Sequence, residues 1–280
     1  MHIETAPAKI NLSLDVLGKR PDNYHEVSMV MTTIDLNDYL TFEKRRDKRI
    51  ALTSDSSFIP LGRKNLVFQA AELMQKKYKT NGVSIHIEKN IPIAAGLAGG
   101  SSDAAATLRG MNELYNLGVD TETLMEYGAT FGSDIPFCVL GGTALATGRG
   151  EKIEMLPSPP HGWVILAKPS ISVSTPRIYG AIRDRKFTPG TEAMRTAILN
   201  NDYDSMVSAL KNDLQSVTRQ KYKEVDYLIE TFKKFGAEGV LMSGSGPTVF
   251  AVFKKERQAA KLYNALKGFC NEVYKVRLLG

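Results

Sequence analysis

The sequence predicts an α+β protein, and three observations carry that prediction. Stretches in which apolar residues alternate with polar ones stand beside stretches in which they recur every three or four residues, the periods of a half-buried strand and of an amphipathic helix. After residue 163 the order runs strand, helices, strand, loop, strand, helix, strand, as expected of an antiparallel sheet covered by helices. The chain has 280 residues, 43% of them hydrophobic, enough for two domains with well-formed cores or one large one.

Residues 8–16 read as the first strand: Ile10, Leu12, Leu14 and Val16 point one way, Lys9, Asn11, Ser13 and Asp15 the other. That polar face is either solvated or lines a cleft. The turn Gly18-Lys19-Arg20-Pro21-Asp22-Asn23 leads to Tyr24-His25, an aromatic ring beside an imidazole. Such a pair either stacks on and hydrogen-bonds to a flat heterocycle or is an ordinary half-buried Tyr with an exposed His. Val27, Met29 and Met31 suggest a second strand, Leu40 and Phe42 a third, and residues 65–79 an amphipathic helix with Leu66, Ala70, Leu73 and Met74 inward. The run 43–49 mixes charge signs without aromatics and reads as a solvated loop or strand end.

Residues 83–88 alternate Val83, Ile85, Ile87 against Ser84, His86, Glu88, a strand, and the stretch after it is the focus of the chain. In Pro92-Ile93-Ala94-Ala95-Gly96-Leu97-Ala98-Gly99-Gly100-Ser101-Ser102-Asp103 the glycines let the backbone approach an anion and turn N–H groups toward it. A helix follows over 104–115, with Ser101, Ser102 or Asp103 as N-cap, and its N-terminus adds partial positive charge. Neither Gly-x-x-x-x-Gly-Lys-Ser/Thr nor a Gly-x-Gly-x-x-Gly after a strand occurs, so the alternative is a glycine-rich turn packed between strand and helix.

Asp120 is placed to cap a helix that runs to Phe131. In Ser133-Asp134-Ile135-Pro136-Phe137 an acid precedes an apolar run, either as another N-cap or as a charge with chemical work to do. Strands at 143–147 and 152–156 precede the proline cluster 157–162, the best domain boundary. Beyond it come strand 163–167, an extended segment 171–174, and helices 176–182, 192–199, 203–214 and 222–235. Strand 240–242, the loop Ser243-Gly244-Ser245-Gly246-Pro247, strand 248–253, helix 256–269 and strand 272–278 complete the chain.

Lys and Arg outnumber Asp and Glu by 36 to 30, a balance too mild to demand nucleic acid and equally suited to an anionic substrate. Cys138 and Cys270 lie among apolar residues without metal spacing and read as reduced core thiols. Residues 1–6 have no signal-peptide pattern and no apolar run reaches membrane-spanning length. The expectation is a cytoplasmic protein with neither membrane nor nucleic-acid partner.

Three blocks, Pro7-Ala8-Lys9-Ile10-Asn11-Leu12, the stretch from Pro92, and Met242-Ser243-Gly244-Ser245-Gly246-Pro247-Thr248, together resemble the GHMP superfamily of galactokinase, homoserine kinase, mevalonate kinase and phosphomevalonate kinase, over the full chain. With Asn23-Tyr24-His25 and Ser133-Asp134-Ile135-Pro136-Phe137, the likeness is greatest to the branch acting on 4-diphosphocytidyl-2-C-methyl-D-erythritol. The resemblance implies an ATP-binding domain over 1–156, like domain 2 of ribosomal protein S5, a ferredoxin-like substrate domain over 163–280, and an active site in the cleft between them. It implies transfer of the γ-phosphate of ATP, with Mg²⁺, to the substrate 2-hydroxyl in non-mevalonate isoprenoid synthesis. Asp134 would be the base and Lys9 the cation beside it, and the stretch from Pro92 to Ser102 would hold the phosphates. Asn11 and Thr175 would lie at the substrate, the cytosine ring between Tyr24 and Tyr179 with His25 at its edge. Protein ligands for the metal stay unknown, and monomer and homodimer are both open. Ala94, Ala95 and Ala98 stand where relatives often show glycine, so a positive φ at any of them would be strained. Ser133 stands where alanine is frequent.

Overall fold

A computed structural model of the chain describes residues 1–182 and 188–280. The chain forms two compact units from alternating pieces: Met1–Ala8, Leu36–Ile93 and Ala98–Gly141 make the first, and Lys9–Asp35, Ala94–Leu97 and Gly142–Gly280 the second. Strands β1 (His2–Lys19) and β2 (His25–Lys44) each give one end to each unit. β2 is one strand of 20 residues, where the sequence suggested two. The proline cluster 157–162 lies inside the second unit.

In the first unit, β3 (Ile50–Ser54) is followed by helix α1 (Leu66–Tyr78), which starts where Asn65 Oδ1 accepts from the N–H of Val67. Its buried face is Val67, Ala70, Ala71 and Met74, so the inward stripe includes only two of the four residues expected. β4 (Val83–Glu88) pairs in parallel with β3 and antiparallel with residues 39–44 of β2. Helix α2 (Gly99–Tyr115) buries Ala104, Ala105, Ala106, Leu108 and Met111. At Gly110 a Cβ would come within 2.6 Å of the Phe42 ring, so glycine there lets the ring lie directly against the helix backbone. Helices α3 (Thr121–Ala129) and α4 (Ile135–Leu140) complete this unit, α3 capped by Asp120, whose Oδ1 accepts from Thr123. α3 ends at Ala129, two residues short of expectation.

The second unit pairs residues 27–32 of β2 antiparallel with β5 (Thr143–Gly148), which pairs in turn with β6 (Lys152–Leu156). After β7 (Trp163–Lys168), helices α5 (Thr175–Tyr179), α6 (Thr191–Leu199) and α7 (Tyr203–Ser208) lead to β8 (Lys211–Asn212), which runs parallel to β1 at Ser13 and Leu14. Helices α8 (Asp213–Lys221) and α9 (Lys223–Lys234) precede β9 (Gly239–Met242), β10 (Val249–Phe253), helix α10 (Glu256–Lys267) and β11 (Glu272–Arg277). The antiparallel sheet has the order β11-β7-β10-β9, with β10 buried at every residue. α9 turns Val225, Leu228, Ile229 and Phe232 inward, as its period requires.

The single helix expected over 203–214 is broken. Asn212 donates from Nδ2 to the carbonyls of Met242 and Gly244 while its Oδ1 accepts from the N–H of Leu214. Its backbone is therefore extended and a new helix starts behind it. Cys138 and Cys270 are buried thiols. No helix among the described residues is long and apolar enough to cross a membrane.

Candidate active site

The polar face of β1 is buried throughout: Lys9 is 4% exposed, Asn11 and Ser13 0%, Asp15 1%. Burying four polar side chains on one strand requires partners for each. Lys9 Nζ donates to Asn11 Oδ1 at 2.6 Å, and Asn11 Nδ2 meets Met29 Sδ at 3.2 Å. Ser13 Oγ lies 3.2 Å from Thr191 Oγ1 and accepts from the N–H of Val30. Asp15 accepts from the N–H groups of Gly190 and Thr191 at 2.7 and 2.8 Å and from Lys211 Nζ at 2.6 Å. Lys211 also reaches Asp213 at 2.8 Å, whose Oδ2 accepts from the N–H of Val16. Burial opposes ionisation of Asp15, but Lys211 and the two N–H groups outweigh it and hold its carboxyl below the ordinary range. One end of the strand thus pairs Lys9 with Asn11, and the other, Ser13 and Asp15, anchors the start of α6.

Residues 94–97 belong to the second unit and meet the loop 243–248 there. Ser243 Oγ donates to the carbonyl of Gly96 at 2.8 Å, and the N–H of Lys9 donates to that of Leu97 at 3.1 Å. Gly96 has φ +74°, and a Cβ on it would stand 2.3 Å from the carbonyl oxygen of Ser243. Only glycine serves here. A Cβ on Gly244 would approach Asn11 Oδ1 to 3.5 Å, which places that loop beside the Lys9–Asn11 pair. Thr175 joins the same loop through Ser245, Oγ1 to Oγ at 2.7 Å. Ala94 has φ +52°, the left-handed strain foreseen for an alanine in this stretch.

In the first unit, α2 begins at Gly99 rather than after Asp103, because the residue ahead of it is Ala98 with φ +57° and no capping side chain. Ser101, Ser102 and Asp103 are therefore inside the helix. Ser102 Oγ donates to the carbonyl of Pro7 at 2.7 Å, and its N–H donates to that of Ala98. The N–H groups of Gly99, Gly100 and Ser101 precede the first intrahelical bond, and a Cβ on Gly100 would meet open space. Three donors at the positive end of a helix, beside a bare glycine backbone, fit the terminal phosphates of a nucleotide.

Beneath this end Asp103 and Asp38 share Lys89: its Nζ donates to Asp103 Oδ2 at 2.8 Å and to Asp38 Oδ2, whose Oδ1 accepts from the N–H groups of Asn90 and Ile91. Burial drives the Asp103 carboxyl up to about 7, against the pull of Lys89. Two carboxylates against one buried ammonium explain why one of them keeps its proton.

Asp134 occupies the N-cap position of α4, yet its side chain makes no capping hydrogen bond, with backbone φ −82° and ψ −14°. The capping role considered for it is not what its carboxylate does. Ser133 is the half-exposed residue before it.

The His25 and Tyr179 rings pair at 5.1 Å between centroids, tilted by 34°. The ring of Tyr24, 53% exposed, is covered by the Arg149 guanidinium at 4.9 Å. Burial, with the nearby charge of Lys19, lowers the His25 imidazole below its ordinary value, which favours the neutral ring with one N–H donor and one bare nitrogen. Arg149 and Ser245 were not singled out in the sequence. Arg149 sits in a Gly-Arg-Gly turn with no residue pattern to mark it, whereas Ser245 is part of the loop block itself.

Among the described residues no group of three or more His, Cys, Asp or Glu is arranged to hold a metal ion.

Comparison with known proteins matches two families, the GHMP kinases N terminal domain over residues 65–142 and the GHMP kinases C terminal domain over 194–272. A protein of Bacillus cytotoxicus named 4-diphosphocytidyl-2-C-methyl-D-erythritol kinase is 55% identical over 277 residues, spanning 98% of this chain and 96% of its own. A crystal structure of 4-(cytidine 5'-diphospho)-2C-methyl-D-erythritol kinase superposes with a TM-score of 0.84 at 32% identity, covering 100% of both chains. Homoserine kinase from Cytophaga hutchinsonii, at 20% identity and a TM-score of 0.78 over 98% of this chain and 94% of its own, shares the fold. The chain belongs to the 4-diphosphocytidyl-2-C-methyl-D-erythritol kinase family of the GHMP kinases.

Proposed function

We propose that the chain transfers the γ-phosphoryl group of ATP to the 2-hydroxyl of 4-diphosphocytidyl-2-C-methyl-D-erythritol, giving ADP and the 2-phosphate. The observation that carries this reading is the buried Lys9, held by Asn11 at 2.6 Å and tied through its N–H to Leu97 in the phosphate stretch. A buried ammonium fixed to that stretch suits a reaction in which negative charge moves between oxygens.

In this reading Asp134 accepts the proton of the 2-hydroxyl as the oxygen bonds to the γ-phosphorus and the bond to the β-phosphate oxygen breaks. Lys9 offsets charge on the transferring group, and Asn11 holds Lys9 in place and orients the substrate. Residues 92–102 hold the phosphates by backbone N–H groups. Mg²⁺ bound with the nucleotide would neutralise charge on its phosphates. Tyr24, His25 and Tyr179 take the cytosine ring, and Thr175 lies at the same substrate. Residues 1–156 form the ATP-binding domain, which also brings Asn11, Tyr24 and His25 to the substrate, 163–280 form the substrate domain, and the reaction runs in the cytoplasm on diffusible small molecules.

The test is ADP release from ATP and Mg²⁺ with 4-diphosphocytidyl-2-C-methyl-D-erythritol as acceptor, comparing the intact protein with Asp134→Asn. Acceptor-dependent turnover that is lost in the variant is expected. Turnover retained by Asp134→Asn would remove Asp134 as the base, and an intact protein that binds ATP without turnover would remove this acceptor.

A further inference from the structure

The helix that carries Asp134 is six residues long, too short to hold its own shape in water. Its position is set by what fastens its two ends. At its head, α3 packs so closely that a Cβ on Gly128 would stand 2.6 Å from Ile135 Cγ2, and Ile135 itself is wholly buried. At its tail, the N–H of Gly141 satisfies the carbonyl of Phe137 at 2.7 Å. The next two carbonyls, of Cys138 and Val139, accept from Arg109 Nη1 at 2.9 and 3.4 Å.

Arg109 rises from the middle of α2, the helix whose first turn supplies the phosphate donors. The other nitrogens of its guanidinium are also used: Nη2 donates to the carbonyl of Thr5 at 3.0 Å, and Nε to Glu4 Oε2 at 3.0 Å. One planar cation therefore bonds α4 and β1 from a fixed point on α2. Its charge also suits the negative end of α4 and the Glu4 carboxylate.

We propose that Arg109 is a positioning residue for phosphoryl transfer, fixing α4, and with it the Asp134 carboxylate, relative to the helix that opens the phosphate stretch. The proposal rests on Asp134 being the base. The planar five-donor fork matters because it restrains both sliding and rotation of α4. A lysine would keep the charge but offer three donors on a flexible stem, which cannot hold acceptors on two elements in one plane. A displacement of the base by about 1 Å is enough to lower a rate by up to ~100-fold.

The experiment compares the intact protein with Arg109→Lys, Glu4→Gln and Asp134→Asn in the ADP-release assay, with amide hydrogen exchange on each. Arg109→Lys is expected to lower kcat by roughly 10- to 100-fold, with KM for ATP and for the acceptor changed less than about twofold. Its exchange should quicken over residues 135–141 and stay as in the intact protein over the second unit. Glu4→Gln, which keeps the tail of α4 fastened, should show a smaller loss of kcat. Unchanged kcat in Arg109→Lys, or a loss shared equally by both KM values with quickened exchange throughout, would overturn the positioning role. An intact protein without turnover, or an active Asp134→Asn, would overturn the functional reading first and the proposal with it.

Discussion

Lys9 donates from Nζ to Asn11 Oδ1 at 2.6 Å, two residues along the same face of β1, and both side chains are buried. A buried ammonium must be held, and the amide oxygen that holds it also fixes the direction of its remaining donors. Lys9→Met keeps the length of the side chain and removes the charge. It is expected to lower kcat by about 10²- to 10³-fold, the usual cost of losing one preorganised charge-stabilising donor. KM for ATP should move little. Steady-state kinetics with both substrates varied decide it, and an unchanged kcat would exclude Lys9 from the transfer step.

Gly96→Ala places a Cβ 2.3 Å from the carbonyl oxygen of Ser243 at a φ of +74°. Both effects require the backbone of 94–97 to move away from the 243–248 loop. Weaker ATP binding, by at least about tenfold (~1.4 kcal/mol), is expected in a titration of the nucleotide. Gly268→Ala, at the end of α10 with φ −70° and only an ordinary 3.5 Å contact for a Cβ, is the control for the mere addition of a methyl group. Equal affinities in the two variants would count against the role of the 94–97 segment.

Tyr24→Ala removes an exposed ring, 53% accessible, so folding should be nearly unaffected. Stacking of one base on an aromatic ring contributes about 1–3 kcal/mol. The expected result is a rise in KM for the diphosphocytidyl substrate of roughly 5- to 150-fold, from the same stacking energy, with KM for ATP unchanged. Parallel rises for both ligands would place Tyr24 outside the cytosine site.

Asp103 titrates well above an ordinary carboxyl, at about 7, chiefly because it is buried. The folded chain keeps a proton that the unfolded chain releases above about pH 4. The sign follows from that: the stability due to this group is whole below about pH 4 and falls as pH rises to about 7, then levels off. Asp103→Asn cannot release a proton and leaves Lys89 paired with Asp38. Its thermal midpoint should therefore fall less than that of the intact protein between pH 5 and 8, an effect on the order of a few kcal/mol at most. Parallel midpoint curves would show that Asp103 is charged throughout.

Much of this site is legible in the sequence because it is made of local patterns. The glycines from Gly96 to Gly100, the strand 83–88 and the Asp120 cap depend on residues a few positions apart. What alternation cannot reveal is what lies over a face. Lys9, Asn11, Ser13 and Asp15 share one side of β1 by periodicity, but the burial of the last two comes from partners as distant as Thr191 and Lys211. Capping rules look for a side chain and so set the start of α2 too late, whereas Ala98 makes the turn by its backbone alone. The break in 203–214 has the same origin: Asn212 bonds Met242 and Gly244, residues that no local window contains. Arg109, in a helix surface position by sequence, gained meaning only from the carbonyls it reaches.

The passage of the chain back and forth between its two units has a consequence for anyone who would take the protein apart. A cut within 157–162, where prolines make the backbone look most divisible, would strand residues 9–35, 94–97 and 142–156 on one fragment and the remainder of their unit on the other. Neither fragment would hold a whole second unit, so the pieces should be useless separately and recover activity only on mixing. Recombination between related kinases at that point should likewise yield active hybrids only when both parents already agree at Asp15, Thr191, Lys211 and Asp213, which bond across the cut, Thr191 and Lys211 to Asp15 and Asp213 to the N–H of Val16.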